Sequence, residues 1–341
     1  MFKKKLGFLA GIMVLLSLAG YMICLLVGGT KQLEKEDGFL LVTSFYPMYV
    51  LAENLTAGVE GVTVANLTEN QTGCLHDYQL TSRDMKLLSG ADAFLINGAG
   101  MELFVEKVME NYSGLPVIEA SHGIALLEGV QHNHGHGEEE HPEDKALEDH
   151  DHAEEDHEHA EEEHVHESEG HDHAENGHVW MNVEHYRTQL AATKNELQQL
   201  LPQQKDALEA AADAYDKKLQ ELSAEIETLK GKTKEIPVVI FHEAFAYLAE
   251  SLEMDVLMAL SLDEETVPSA GEIAEVIEEI RYHGYALLLI EEDYAEHAEK
   301  ILVETKAEVV YINPLTTGNG SVDSYLAGMR SNLEAVRAMV D

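Results

Sequence analysis

Short apolar runs alternate with amphipathic ones along most of the chain. Phe39-Leu-Leu-Val-Thr43, Val62-Thr-Val64, Ala93-Phe-Leu-Ile96 and Pro116-Val-Ile118 have the length and composition of buried strands. Between them, Pro47 to Leu55, Thr81 to Leu88 and Gly100 to Glu110 read as helices, with Thr81 or Ser82 as an N-cap. The rhythm returns later: Val238 to Ile240, Leu287 to Ile290 and Val309 to Ile312 read as strands, and Gly271 to Arg281, Ala295 to Thr305 and Ser324 to Val340 as helices. In the middle, Asn182 caps a helix that places Tyr186, Leu190, Leu197 and Leu201 at helical spacing. Pro202 opens another, in which Leu208, Ala212, Tyr215, Leu219, Leu222, Ile226 and Leu229 step by four and three until Gly231. Strands alternating with helices predict parallel βα units. The pattern therefore predicts an α/β fold of two lobes with central parallel sheets, joined by a long backbone helix, with a cleft between them. In such sheets ligands bind at the loops beyond the carboxyl ends of the strands.

One segment breaks the pattern. Gln131 to Gly177 holds 12 of the 19 histidines, with 19 carboxylates and a single lysine, and only Leu147 and Val165 as sizeable aliphatics. It cannot build a core and is expected to be a solvated loop. Neutral imidazole suits zinc, copper and nickel, and the many His-x-His pairs offer weak, exchangeable sites. A charged spacer is the plain alternative, but spacing alone does not call for a histidine at one position in four. The formal net charge of the whole chain is −42. Such an acidic surface argues against nucleic acid as a partner and attracts cations.

The start reads as a targeting segment. Lys3, Lys4 and Lys5 precede a charge-free run, Leu6 to Val27, long enough to span a bilayer. The basic flank keeps the N-terminus inside, so the rest of the chain is expected outside the membrane. Cys24 suggests a lipoprotein signal, yet Ile23 before it is too large for a good lipidation site, so an uncleaved signal anchor competes with that reading. The expected organisation is 1–29 as signal peptide or membrane anchor, 30–38 as linker, 39–182 as the first lobe carrying the loop 131–177, 183–233 as linking helices and 234–341 as the second lobe. Two cysteines, Cys24 and Cys74, make no disulfide framework.

Outside the acidic segment, His76, His178 and His242 each fall on a loop or at a strand end, whereas His122, His185, His283 and His297 form no such set. Thr43-Ser-Phe-Tyr-Pro47, His76-Asp-Tyr78, Ala91-Asp92 with Asn97-Gly-Ala-Gly-Met-Glu102, His178-Val-Trp180 and Phe241-His-Glu-Ala-Phe245 occur in that order. Together, from about Phe39 to Asp341, they resemble the zinc-binding solute-binding proteins of bacterial ABC metal importers. The resemblance implies a monomer that holds Zn(II) between two α/β lobes through His76, His178 and His242 and passes it to an ABC permease. It also accounts for a His/Asp/Glu-rich loop just before the second ligand. Manganese-binding relatives carry a carboxylate where His242 stands, and three imidazoles favour a borderline cation such as zinc. Many relatives have an acidic fourth ligand near the last strand. Here Asn313-Pro-Leu-Thr-Thr317 brings no carboxylate before Asp323. Water, a loop histidine or Glu291 is left for that position, and Glu291 matches a glutamate at a strand end near the cleft, as a ligand or a partner of the ligands. Cys74, two residues before His76, is a thiolate near the metal or an inert buried thiol.

Other readings are a tethered metal-buffering or adhesion protein, and a zinc hydrolase. His242-Glu243 begins like HExxH, but Ala246 stands where the second histidine would be. The acidic segment makes a prediction of its own. Sites on a floppy chain bear an ordering entropy and are weak, whereas a cleft held by folded lobes is tight. Deleting Gln131 to Glu175 should remove weak zinc equivalents in calorimetry, leave one tight equivalent, and impair zinc-limited growth more than zinc-replete growth. Unchanged stoichiometry and growth would reduce the segment to a spacer.

Overall fold

The strand Phe39–Thr43 (β1) is apolar on both faces because both faces are covered: Leu41, Val42 and Thr43 are fully buried, as parallel strands between helices require. The computed structural model describes residues 38–68, 75, 78–129, 175–260 and 267–341. After β1 come α1 (Tyr46–Leu55), with Pro47 in its first turn, β2 (Val62–Asn66), α2 (Ser82–Leu88), β3 (Ala93–Ile96), α3 (Val105–Asn111) and β4 (Val117–Glu119). The sheet order is β2-β1-β3-β4, with β1 parallel to β3 and β3 parallel to β4. Thr81 caps α2 in a reciprocal capping box with Asp84. Two short strands, β5 (Leu127–Glu128) and β6 (Glu175–Asn176), then pair antiparallel. The histidine-rich residues 131–174 lie outside the described residues, as do the apolar run Leu6 to Val27, Cys74 and His76.

Two long helices follow, α4 (Val183–Leu200) and α5 (Lys205–Thr233), separated by the short 3-10 turn Pro202–Gln204. The second βα set is β7 (Pro237–Ile240), α6 (Ala244–Ser251), β8 (Asp255–Ala259), α7 (Ala270–His283), β9 (Leu287–Ile290), α8 (Glu299–Glu304), β10 (Glu308–Tyr311) and α9 (Ser324–Val340). Its sheet order, β10-β9-β7-β8, repeats that of the first sheet when each is counted from its own first strand. Each lobe therefore has a point between its first and third strands where the chain turns to opposite sides, and a crevice opens there at the carboxyl ends. Among the described residues, no helix is long and apolar enough to cross a membrane.

The long helix α5 is the spine. All seven residues of its apolar stripe are buried, and it packs along α4, α1 and α9. Fully buried leucines such as Leu208, Leu219 and Leu222 each contribute about 1.5–3 kcal/mol relative to exposure. Gly231 does not end this helix. It continues to Thr233, whose hydroxyl donates to the Leu252 carbonyl at 2.7 Å, and Glu235 then takes a positive φ. The helix expected over Ala295 to Thr305 is split into a 3-10 stretch, Glu292–Ala298, and α8. The helix α6 and the edge strand β8 were not anticipated from the hydrophobic pattern.

The helix α3 starts five residues later than the pattern predicts. Gly98, Ala99 and Gly100 all have positive φ, which no helix tolerates in succession. That turn folds Glu102 back into the core. Its carboxylate accepts from the Ser44 hydroxyl at 2.7 Å, the Asn97 N–H at 2.7 Å and the Gly98 N–H at 3.0 Å. Burial pushes this carboxyl up to about 7, against the opposing pull of those donors. When protonated it still satisfies every neighbour, because the Ser44 hydroxyl can accept as well as donate. A glutamine cannot, since its amide nitrogen must face a backbone N–H. Glu102→Gln should therefore cost about 1–3 kcal/mol at pH 5. The raised value means that Glu102 contributes stability in full below about 4.5 and loses it as pH rises through about 7. Thermal melts should show the gap between wild type and Glu102→Gln narrowing from pH 5 to pH 8.

Candidate metal centre

The strand β7 delivers one of the candidate ligands. Phe241 extends its ladder by donating its N–H to the Leu289 carbonyl at 2.9 Å, so His242 emerges at the carboxyl end of the sheet. The register pairs Ile240 with Leu289; continued by two residues, it sets His242 beside Glu291. They flank the crevice between β7 and β9, on strands about 4.8 Å apart. The His242 Nδ1 accepts the Ala244 N–H at 3.0 Å, at the start of α6. The Glu291 carboxyl is pushed up to about 7, chiefly by burial and further by the negative charge of Asp293. A cation bound beside it would pull that value back down and keep the carboxylate charged.

His178 arrives from the other direction, on the segment that leads out of β6. Gly177 before it is held by its carbonyl, which accepts from the Asn97 side chain at 2.9 Å. Behind it, Val179–Met181 forms a buried 3-10 turn, and Asn182 caps α4 by accepting from the Glu184 and His185 N–H groups. Trp180 fixes the turn. Its ring lies edge-on to Phe45 at 4.9 Å, its indole N–H donates to the Pro314 carbonyl at 2.8 Å, and its carbonyl accepts from the Tyr325 hydroxyl at 2.7 Å. His178 is 1% exposed, and its ring stands nearly perpendicular to that of His242, centroid to centroid 5.0 Å.

Asn176 surrounds this pair with hydrogen bonds. Its side-chain oxygen lies 3.0 Å from the His178 backbone nitrogen and 2.9 Å from His178 Nδ1. Its side-chain nitrogen donates to the Glu243 carbonyl at 2.9 Å. Its own carbonyl accepts from the Tyr247 hydroxyl at 2.6 Å, and that hydroxyl accepts the Leu127 N–H at 3.0 Å. Sequence reasoning missed Asn176 and Tyr247. The first reads as the tail of the acidic segment and the second as an ordinary core aromatic, so neither gives a signal.

Of the sequence-derived set, the rings of His178 and His242 meet, from two parts of the chain, and Glu291 follows the strand beside the one that leads to His242. His76 lies outside the described residues, between Leu75, which is buried, and Tyr78, whose hydroxyl donates to Asp84 at 2.8 Å. Among the described residues alone, no three His, Cys, Asp or Glu side chains converge as a metal site. The remaining histidines with described side-chain contacts have other neighbours: His185 packs against Tyr247, His283 lies 3.2 Å from Glu279 of its own helix, and the His297 ring lies 6.3 Å from that of Tyr294. Near the last strand, Asn313 accepts the Leu315 N–H and Asp323 pairs with Lys218 at 2.8 Å, so that region supplies no carboxylate to the cleft.

A family model, ZnuA, described as a periplasmic component A of the zinc-uptake complex, matches residues 41–339. The zinc-binding protein AdcA of Streptococcus pyogenes serotype M3 is 25% identical over 339 residues, covering 97% of this chain and 61% of that protein. The zinc-binding lipoprotein AdcA of Streptococcus pneumoniae strain R6 is 28% identical over 346 residues, covering 96% of this chain and 60% of that protein. The chain thus spans about three fifths of the length of these relatives. Among solved structures, FpvC of P. aeruginosa in complex with Ni2+ superposes with a TM-score of 0.68 at 20% identity, covering 89% of this chain and 97% of that one. That likeness bears on the fold.

The approach to His178 has no spare room. A Cβ on Gly177 would lie 2.6 Å from the Ala99 carbonyl oxygen and 2.8 Å from Met101 Cγ. Gly177→Ala should destabilise the protein by about 1–3 kcal/mol in chemical denaturation. Gly231→Ala, where a Cβ meets nothing within 4 Å in a helix, should instead stabilise it by about 0.5–1 kcal/mol.

Proposed function

The chain belongs to the family of periplasmic zinc-uptake components, and we propose that it is the extracytoplasmic zinc-binding component of an ABC importer, capturing Zn(II) and delivering it to a membrane permease. The observation that carries this reading is the meeting of His178 and His242, with ring centroids 5.0 Å apart. They come from opposite approaches to one crevice. In this reading His76 supplies a third imidazole, and Glu291 is the carboxylate that completes or supports the set. Neutral imidazoles with one carboxylate suit zinc, and a harder ion such as manganese prefers more oxygen.

The family is one of solute-binding components rather than enzymes, and the site fits a carrier. Glu243, which a hydrolase would need as a general base beside the metal, opens α6, and Ala246 stands where a second metal histidine would be. The binding chain works as a monomer, tethered outside the membrane, with the permease as its partner and no role for nucleic acid. Residues 39–182 and 234–341 serve as the two lobes.

Competition calorimetry tests this reading. About one tightly held zinc and much weaker manganese binding are expected, with the zinc site lost in both His178→Ala and His242→Ala. The variant His242→Glu should shift the preference toward manganese. Equal or tighter binding of manganese by the wild type would overturn the assignment of zinc as cargo.

A further inference from the structure

We propose that Asn176 is a positioning residue that sets the tautomer of His178 and ties that ring to the segment bearing His242. The orientation of its amide is fixed by groups whose roles are not in question. The Glu243 carbonyl can only accept, so the atom facing it is the amide nitrogen, a donor. The atom facing the His178 backbone N–H must then be the oxygen, an acceptor. That oxygen also lies 2.9 Å from His178 Nδ1, so Nδ1 carries the proton. In that tautomer Nε2 is the nitrogen that carries the lone pair. Asn176 and His178 are both 1% exposed, so water does not compete for these bonds.

The same residue reaches across to the other ligand. Glu243 directly follows His242, and Tyr247, one turn further along α6, holds the Asn176 carbonyl at 2.6 Å. The Tyr247 hydroxyl also takes the Leu127 N–H, so it clamps both strands of the β5–β6 pair. One asparagine therefore fixes which nitrogen His178 presents and how far it stands from His242. Partners that orient a metal-binding imidazole are commonly worth a factor of about 10–100 in metal affinity.

The inference about affinity rests on the reading of His178 as a zinc ligand. The tautomer does not, so the two can fail separately. Long-range 1H–15N correlation spectra of the metal-free full chain, with histidines labelled and His178 assigned by its loss in His178→Gln, should show an Nδ1–H imidazole in the wild type. Asn176→Ala should shift His178 toward a mixture of tautomers and raise the zinc Kd about 10–100-fold. Asn176→Asp keeps both acceptor contacts to His178 but sets a carboxylate against the Glu243 carbonyl; it should keep the Nδ1–H form and still bind zinc more weakly. Tyr247→Phe, which retains the packing, should also weaken zinc binding while leaving the tautomer unchanged.

A merely structural role would lower the melting temperature in these variants and leave the tautomer and the Kd, measured well below it, as in the wild type. That result would overturn the proposal, and so would an Nε2–H imidazole in the wild type. A wild type with the Nδ1–H form but no tight zinc would instead refute the zinc reading and leave the tautomer assignment standing.

Discussion

The position of His178 depends on the burial of Trp180, which touches both βα sets. The side chain is fully covered, with Phe45 of the first βα set on one side and the Pro314 carbonyl beyond the last strand on the other. A tryptophan removes about 150–250 Å2 from water, and at about 25 cal/mol per Å2 that amounts to about 4–6 kcal/mol. Its indole N–H and its carbonyl are satisfied by Pro314 and by Tyr325, so little of that gain is lost there. His178 is two residues upstream, within the same rigid turn, and its position follows from where the indole has to go.

The other side of the cleft floor is made rigid by polar rather than apolar contacts. Glu102 gathers the Ser44 hydroxyl and the Asn97 and Gly98 N–H groups. Asn97 in turn holds Gly177, and Gln189 of α4 donates to both Asn97 and Ser121. Each of these groups would cost about 1–3 kcal/mol if left unpaired in the core. A network of this kind has few alternative arrangements, so the loops at the ends of β1 and β3 arrive already ordered. Binding there loses less entropy than it would on a mobile loop.

Much of this was legible in the sequence, and the boundary of legibility is physical. The strands at Ala93 to Ile96 and Leu287 to Ile290, the Thr81 and Asn182 caps and the α5 stripe are local patterns, and they appear where the pattern sets them. The start of α3 was misread because Glu102 answers to Ser44, fifty-eight residues away, and not to its own helix. The strand β8 escaped because it is an edge: Val256 is 39% exposed, and an apolar run half in water gives neither a strand nor a helix period. The three histidines were separable from the other sixteen through ordered motifs, but the meeting of His178 and His242 is a tertiary fact that no spacing contains. Asn176 was hidden by composition, one polar residue at the end of a long polar segment.

The two imidazoles that meet are not in equivalent states. At His178, Nδ1 faces an acceptor and the ring already has the form a metal needs. At His242, Nδ1 accepts the Ala244 N–H, so the neutral ring carries its proton on Nε2. Binding zinc through Nε2 requires that proton to move to Nδ1 and the Ala244 contact to break, which costs one side chain to backbone hydrogen bond, about 0.5–1.5 kcal/mol. At about 1.4 kcal/mol per tenfold, that is a factor of about 2–13 in Kd, small beside the gain of about 10–16 kcal/mol at structural zinc sites. Of the two rings, His242 would therefore be the one that has to reorganise to bind through Nε2, and His178 the one already set. A cation held beside Glu291 would also lower its raised pKa and favour the charged carboxylate.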